Sequence, residues 1–255
     1  MNQMKKAGAI ELDVNDKLYI ADHDNKRVTM WTQNTTAGTL VINANGVEHP
    51  EGITFDKYGY FYLTGHDKNQ VRRYTPDFSS YKTVAGSDIG SPSLNNPLGM
   101  DLDDDFNLYI AERDGKKVTK WAQNATVGTT VITSSKKLYG IVLARNSSDQ
   151  AYISSTEAGF VYLWTFGASV PNATLYQVSS SADLSEPRGI QYDKYGALYV
   201  SDKKRVVMYC ANSIVGKVAV SDNNINEAWD VAFDSNVNMY VLDSGGNKVL
   251  KYTRL

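Results

Sequence analysis

The chain has 255 residues, with 26 Lys and Arg against 28 Asp and Glu and a formal net charge of −2. A chain so close to neutral has no overall attraction for nucleic acid or anionic lipid. Its one cysteine, Cys210, excludes an internal disulfide framework and a cysteine-based zinc site. Hydrophobic residues make up 42% of the chain, in runs far too short to span a bilayer, so we expect a globular domain without membrane insertion.

A short phrase built around tyrosine recurs six times along the chain. Its tyrosines are Tyr19, Tyr62, Tyr109, Tyr152, Tyr199 and Tyr240. Seven or nine residues after each tyrosine comes a valine, and three residues after the valine comes an aromatic ring. In five copies an aspartate closes the apolar run that precedes the tyrosine; these are Asp13, Asp56, Asp103, Asp193 and Asp234. Six copies of one pattern indicate a repeat architecture.

Each copy contains three short runs of β-branched and aromatic residues, which favour strands. The sequence Asp-Lys-Tyr-Gly at 56–59 and 193–196 is typical of a tight hairpin between the first two runs. A fourth run follows in five copies, at 39–42, 81–85, 129–133, 174–178 and 217–220. No segment has a sustained period of 3.6 residues, so we expect no long helix.

Four antiparallel strands in each of six similar units predict an all-β, six-bladed β-propeller. A single domain over 1–255 accounts for every repeat. We expect its blades at about 9–46, 47–92, 93–135, 136–181, 182–223, and 224–255 together with 1–8. The sixth copy ends after its third run, so we predict either that Asn2 to Lys6 completes the last blade or that this blade has three strands and an exposed edge.

The repeat resembles the NHL-repeat family of six-bladed propellers. The residues that carry the resemblance are Pro-Glu-Gly-Ile-Thr-Phe-Asp from Pro50, Leu-Tyr-Ile-Ala-Glu from Leu108 and Asp-Ser-Gly-Gly-Asn-Lys-Val from Asp243. The fourth copy departs from the family pattern, with Ala144 and Ser155 in place of its usual aspartates. The resemblance covers nearly the whole chain and implies the propeller fold.

Each copy has an equivalent position upstream of its tyrosine that is glycine in four copies (Gly52, Gly99, Gly140 and Gly189) and Ala9 or Asp230 in the other two. The residue just before this repeat glycine position should lie, in every blade, on a ring at one mouth of the channel. These residues are Gly8, Glu51, Leu98, Tyr139, Arg188 and Trp229. Aromatic residues and arginine dominate binding hot spots. We therefore predict a non-catalytic binding module, monomeric as a domain, that uses Glu51, Leu98, Tyr139, Arg188 and Trp229 to bind a protein or glycan, with no catalytic residues.

The three histidines, His23, His49 and His66, fall on loops of the same face as this ring. With Glu51 they are candidate metal ligands, for zinc through imidazole or for calcium through carboxylates. The repeats also resemble the gluconolactonase and regucalcin-like propellers, which implies a divalent ion at the channel mouth held by a Glu with Asn and Asp. Only Glu51 occupies a comparable position, so we expect no cofactor. The alternative is a metal-dependent hydrolase or lyase of the lactonase-like type with calcium or zinc.

Basic residues recur in the loops that lead into the third run, and the resemblance to NHL domains makes RNA binding a second alternative. Acidic residues in the same loops cancel much of that charge, so we do not expect a nucleic-acid partner. Glycan acceptor triplets begin at Asn34, Asn124, Asn146 and Asn172. They give a secreted or lumenal location a small preference, although chance alone predicts nearly as many triplets.

Overall fold

The computed structural model describes residues 3–43, 48–86, 89–90, 92–211 and 213–253, which contain β-strands and no helix. No segment of this part of the chain is a helix that could cross a membrane. The strands are, in chain order, β1 (Ala9–Leu12), β2 (Leu18–Asp22), β3 (Arg27–Trp31), β4 (Thr39–Asn43), β5 (Pro50–Phe55), β6 (Phe61–Gly65), β7 (Gln70–Tyr74), β8 (Tyr81–Gly86), β9 (Pro97–Leu102), β10 (Leu108–Glu112), β11 (Lys117–Trp121), β12 (Thr129–Thr133), β13 (Ile141–Leu143), β14 (Gln150–Ser155), β15 (Phe160–Thr165), β16 (Ala173–Leu175), β17 (Gln177–Val178), β18 (Pro187–Tyr192), β19 (Leu198–Asp202), β20 (Arg205–Tyr209), β21 (Val215–Ser221), β22 (Ala228–Phe233), β23 (Met239–Asp243) and β24 (Lys248–Tyr252).

These strands form six sheets, and each sheet is one blade of the predicted propeller. Apart from β17, the strands of every blade follow one another antiparallel from the channel outward, and the first strand lines the channel. Apolar clusters fill the spaces between neighbouring blades; one of them joins Tyr19 and Val28 of blade one to Phe61 and Leu63 of blade two. The prediction of an all-β, six-bladed β-propeller is confirmed.

The repeated tyrosine and aspartate act together in the first hairpin of a blade. In blade three, Asp103 Oδ1 accepts hydrogen bonds from the backbone N–H groups of Asp105 and Asn107, and its Oδ2 accepts one from the Tyr109 hydroxyl at 3.2 Å. Tyr19, Tyr62 and Tyr240 make the same contact with their own aspartates. The tyrosine therefore packs between blades while its hydroxyl group is satisfied.

The repeat glycine is required because the first strands of neighbouring blades come very close around the axis. A Cβ atom at Gly99 would lie 2.6 Å from the carbonyl oxygen of Tyr139, 2.8 Å from Gly140 Cα and 3.0 Å from Ile141 N. All three are backbone atoms of the next blade and cannot move aside cheaply. The glycine thus sets the radius of the channel.

The fourth strand predicted at 174–178 is wrong as a single element. Its first part, β16, pairs with β15 in blade four, but β17 leaves that blade and pairs in parallel with β21 of blade five. Leu175 opposes Val161, and Val178 is buried in the cluster that contains Tyr209. Each half therefore finds an apolar partner in a different blade, and blade five has five strands.

The sixth blade has three strands, β22 to β24, in the part of the chain that the structure describes. Gln3 to Lys6 does not form a strand, and Asn2 lies outside the described residues. Instead, Lys6 N–H donates to Asn247 Oδ1 at 2.8 Å and Met4 packs against a cluster that includes Val249. Of the two predicted arrangements, the described residues therefore form the three-stranded blade.

Candidate functional site

The predicted ring lies around one channel. All six ring positions line a cavity of about 100 Å³ that is formed by the first strands of the blades. A volume of that size holds a few water molecules and no larger ligand. A ligand larger than a few water molecules would therefore bind over the mouth of the channel rather than inside it.

Arg188, Trp229 and Leu98 form part of the wall of the channel mouth. Arg188 stacks on Trp229, with its Cζ atom 4.0 Å from the ring centroid. Its guanidinium also donates to Glu227 Oε1 at 2.6 Å and lies 3.3 Å from Glu186 Oε2, so it does not pair with Glu51. Leu98 is buried, so it packs in the wall of the channel and offers little surface to a ligand.

The three histidines come together at the edge of this mouth. His23 lies between β2 and β3, His49 precedes β5, and His66 follows β6. The His23 and His49 rings stack with centroids 4.5 Å apart, and one possible ligand atom from each of the three residues lies within 4.8 Å of the other two. Among the described residues, no other three His, Cys, Asp or Glu side chains come as close.

The spacing of the three imidazoles is slightly wider than a bound ion would require. Zinc–nitrogen bonds of about 2.0–2.1 Å in a tetrahedral site place the nitrogens roughly 3.3 Å apart. Between a fifth and a third of each imidazole side chain is exposed, which leaves the rings room to shift by the remaining distance of up to about 1.5 Å. The chemistry of the donor set, three imidazoles, fits zinc and similar ions rather than calcium.

Carboxylates orient the imidazole rings. His23 Nδ1 lies 2.9 Å from Asp24 Oδ1, and His49 Nδ1 lies 2.6 Å from Asp67 Oδ2. His66 Nδ1 lies 2.8 Å from Asp67 Oδ1 but outside hydrogen-bond geometry. Because an ionised carboxylate only accepts, Nδ1–H is the donor in His23 and His49, and Nε2 of these two rings keeps its lone pair. This is the outer-shell arrangement that supports histidine ligands in metal sites.

Glu51 connects the histidine cluster to the channel. Its Oε1 atom lies 3.2 Å from His23 Nε2. Burial raises the pKa of Glu51 to about 8, against the opposing charge of Arg113, and the charge of Asp24 adds to the rise. Burial also lowers the pKa of His23, with the neighbouring imidazoles contributing. Both shifts favour a neutral pair, with a protonated Glu51 carboxyl group beside an uncharged His23.

The loop that delivers His49 has an unusual backbone. Glu48 and His49 both have positive φ, at 45° and 46°. This left-handed region costs a residue with a Cβ atom about 1–2 kcal/mol. Two such residues in succession turn the His49 ring onto His23, and backbone strain of this kind is concentrated at functional sites.

Three further carboxyl groups line the channel below Glu51. Asp230 accepts a hydrogen bond from Ile10 N–H at 3.0 Å and Asp101 accepts one from Leu143 N–H at 2.8 Å, so each ties its blade to the next. Burial raises the pKa of Asp101 to about 6 and that of Asp230 to about 7. Burial, with the charges of Asp230 and Asp101, raises the pKa of Glu11 to about 8.

We expect the stability of the protein to fall as the pH rises from about 5 to 8. A carboxyl group whose pKa is raised by folding holds a proton that the unfolded chain has already released, so its stabilising contribution is complete below pH 4 and is lost as the pH passes the folded pKa. Thermal unfolding of the wild type should show this decline, and Glu11→Gln should flatten it. One kcal/mol of stability corresponds to about 2–4 °C in the melting temperature of a domain of this size. We expect the fall in melting temperature from pH 5 to pH 8 to be smaller in Glu11→Gln than in the wild type by at least that amount.

Asp105→Asn provides the control, because Asp105 is an exposed residue of a hairpin turn. If Glu11→Gln and Asp105→Asn follow the wild-type decline equally, the raised pKa of Glu11 is contradicted. Comparing each variant with the wild type removes the contribution of groups common to all three proteins, including His23.

The carboxylate that ends the second strand of a blade is structural. Asp22 Oδ1 accepts a hydrogen bond from Lys5 N–H at 2.8 Å, and its Oδ2 lies 2.7 Å from Arg27 Nε. The equivalent ion pairs in other blades are Glu112–Lys117, Asp202–Arg205 and Asp243–Lys248. These four loop cations thus pair with acids of their own blade.

The four glycan acceptor asparagines, Asn34, Asn124, Asn146 and Asn172, are all exposed. Asn34 and Asn124 occupy equivalent turns with the same φ of 62°. Their exposure is compatible with glycosylation, which stays a prediction.

Comparison with known proteins places the fold among solved structures. No family model matches the chain, and no curated protein matches it by sequence. A gluconolactonase from Xanthomonas campestris superposes with a TM-score of 0.79 at 13% identity, over 97% of this chain and 85% of that one. Virginiamycin B lyase from Staphylococcus aureus gives 0.68 at 13% identity, over 99% and 86%. A protein of unknown function from Bacteroides thetaiotaomicron gives 0.76 at 17% identity, over 98% and 70%.

These neighbours contradict the prediction of a non-catalytic binding module. Two of the three proteins are named as enzymes, a gluconolactonase and a lyase, and each covers nearly the whole of this chain. The prediction rested on Leu98, Tyr139, Arg188 and Trp229 as binding residues. The sequence placed the three histidines on the same face but could not show that their rings meet.

Sequence reasoning noted Asp24 and Asp67 near the histidines but did not identify their role in orienting the rings. In the sequence, Asp24 and Asp67 are loop acids near the histidines, and nothing marks Arg113, whose charge acts on Glu51, as a candidate. The signal that was available is adjacency: Asp24 directly follows His23, and Asp67 directly follows His66. A carboxylate next to a histidine in a loop is a common pattern. It indicates support for a metal site only once the histidine rings are known to converge.

Proposed function

We propose that this protein is an enzyme of the metal-dependent hydrolase or lyase type, with a zinc-like ion held by His23, His49 and His66 at the channel mouth. The observation that carries the proposal is the convergence of three imidazoles, each with its Nδ1 atom against a carboxylate, beside a carboxyl group that can hold a proton. The activities named for two similar structures support the same class of reaction. A divergent NHL-type repeat is the proposed origin of the scaffold, supported by the six recurring phrases.

The residues around the cluster have distinct roles in this proposal. A bound ion of this kind would polarise a carbonyl group or lower the pKa of a water molecule. Glu51 would hold or accept a proton 3.2 Å from His23 Nε2. The stacked pair of Arg188 and Trp229 would bind the part of the substrate that lies across the mouth. The narrow channel beneath would admit only water.

The sequence makes a clean metal-binding test possible, because it contains only these three histidines. In protein without an affinity tag, every imidazole NMR signal belongs to the cluster. We expect one equivalent of zinc to shift the signals of all three rings, and calcium to shift none of them. His49→Ala and His66→Ala should abolish this binding, whereas Asn34→Ala, an exposed control, should retain it.

Catalysis is tested with a panel of lactones and esters. We expect turnover that a chelator removes and zinc restores, and that Glu51→Gln reduces by about 10²-fold or more. Failure to bind zinc, or zinc binding that survives loss of two histidines, would overturn the metal centre. Zinc binding without any chelator-sensitive turnover would leave a structural ion and overturn the assignment as this type of enzyme.

A further inference from the structure

The outer edge of the sixth blade differs from those of the other five. In the other blades a further strand pairs with the third strand, as β4 does with β3 and β12 with β11. Among the described residues no strand lies beside β24. A strand edge with unpaired N–H and C=O groups is a template for a strand from another chain.

A groove runs along this edge, between β24 and the neighbouring blade one. Its volume is about 590 Å³, far larger than that of the channel mouth. Val249 and Tyr240 lie on the side of blade six, and Trp31 and Leu40 on the side of blade one. The Trp31 indole N–H already donates to Thr29 Oγ1 at 3.1 Å, so this wall offers mainly apolar contacts.

The five complete blades indicate what the groove should accept. The repeat valine of each third strand faces an aliphatic or alanine side chain from the fourth strand, in the pairs Val28–Ile42, Val71–Ala85, Val118–Ile132, Val161–Leu175 and Val206–Val220. All five of those valines are fully buried. Val249 is the sixth member of the set, and it is only partly buried. A fourth strand with an aliphatic residue opposite Val249 would bury it.

The charges along the groove are of one sign. Its charged lining residues are Arg27, Lys248 and Lys251, with no acidic residue among them. Lys248 and Lys251 reach Asp243 and Asp234 at 3.7 and 3.3 Å, and more than a third of each lysine side chain is exposed. Acidic side chains on an incoming strand would be attracted to these ammonium groups. Lysines on an edge strand also oppose pairing between two copies of the same edge.

We propose that the open edge of β24 binds an extended peptide segment of a partner protein, which adds as an antiparallel fourth strand with an aliphatic residue opposite Val249 and acidic residues near Lys248 and Lys251. Backbone hydrogen bonds would supply affinity, and the alternating side chains would supply selectivity. The site depends on the fold alone and is independent of the proposed enzyme activity.

The probe is a peptide that copies the sequence of this chain's own β12. A fluorescein-labelled peptide Asp-Thr-Thr-Val-Ile-Thr-Asp carries the residues of Thr129–Thr133 between two aspartates. We expect saturable binding by fluorescence polarisation at concentrations up to about 1 mM, with roughly tenfold weaker binding when lysines replace the aspartates. Methylating alternate backbone nitrogens should abolish binding in one of the two possible patterns, because only one edge of the peptide faces β24.

Two variants test whether the peptide binds in the groove or elsewhere on the surface. Leu40→Asp places a charge in the groove at a residue that is 56% exposed, so folding should be unaffected and binding lost. Val127→Asp changes a residue that is 63% exposed and lies outside the groove, and it should bind the peptide as the wild type does. Absence of peptide binding, indifference to both methylation patterns, or full binding by Leu40→Asp would each overturn the proposal. Sedimentation showing a dimer that Leu40→Asp dissociates would overturn it in favour of a second copy.

Discussion

Replacing Gly99 by alanine should destabilise the protein by about 3 kcal/mol, because the new methyl group would meet backbone atoms of the next blade at 2.6–3.0 Å. Closing a ring of six blades leaves no free end along which such a shift could relax. In a domain of this size the loss corresponds to a fall in Tm of roughly 6–12 °C. Urea and thermal unfolding measure it directly.

Gly59→Ala is the matched control. Gly59 has a φ of +81°, so alanine there is strained, but its nearest neighbour is Pro76 Cβ at 3.7 Å and no clash arises. We expect Gly59→Ala to lower the free energy of unfolding by the conformational cost alone, about 1–2 kcal/mol. Equal losses in the two variants would show that close approach of the blades does not set the requirement for glycine at position 99.

Replacing Asp67 by asparagine should weaken zinc binding by about 10–100-fold, the range typical of outer-shell partners. Asp67 lies against two imidazoles, at His49 Nδ1 and His66 Nδ1, whereas Asp24 contacts one, at His23 Nδ1. We therefore expect Asp24→Asn to have a smaller effect and Asp105→Asn, in a distant hairpin, to have none. Competition with a zinc indicator measures all three affinities.

The melting temperature of the metal-free proteins serves as the second measurement for this series. More than a third of the Asp67 side chain is exposed, so its replacement should leave the melting temperature of the metal-free protein nearly unchanged. An Asp67→Asn protein that binds zinc as tightly as the wild type would contradict the role given to this carboxylate. Equal losses for Asp67→Asn and Asp105→Asn would do the same.

The enzyme and peptide-binding proposals concern different parts of the molecule, and their tests are independent. The histidine cluster depends on the channel mouth between blades one and two, while the groove lies at the outer edge between blades six and one. Leu40→Asp should therefore leave zinc binding intact, and His49→Ala should leave peptide binding intact. A variant that lost both properties would indicate a change in the fold rather than in either site.

The sequence alone determined the scaffold, because its causes are local. Alternating apolar residues specify strands, aspartate with glycine or asparagine specifies the hairpins, and six copies of the pattern specify six blades. It also placed Glu51 and Arg188 on one ring, since equivalent positions of a repeat must share a face. The split of 174–178 into β16 and β17 was outside its reach, because each half responds to a different neighbouring blade.

Only the tertiary structure decided the chemistry. His23 and His66 belong to different blades, and their approach depends on the radius of the ring and on the loop that turns His49 inward. The raised pKa of Glu51 and the partly exposed Val249 likewise depend on burial by segments far away in sequence. Distances through space and the local dielectric environment set ligand geometry and proton affinity, and a linear pattern of residues contains neither.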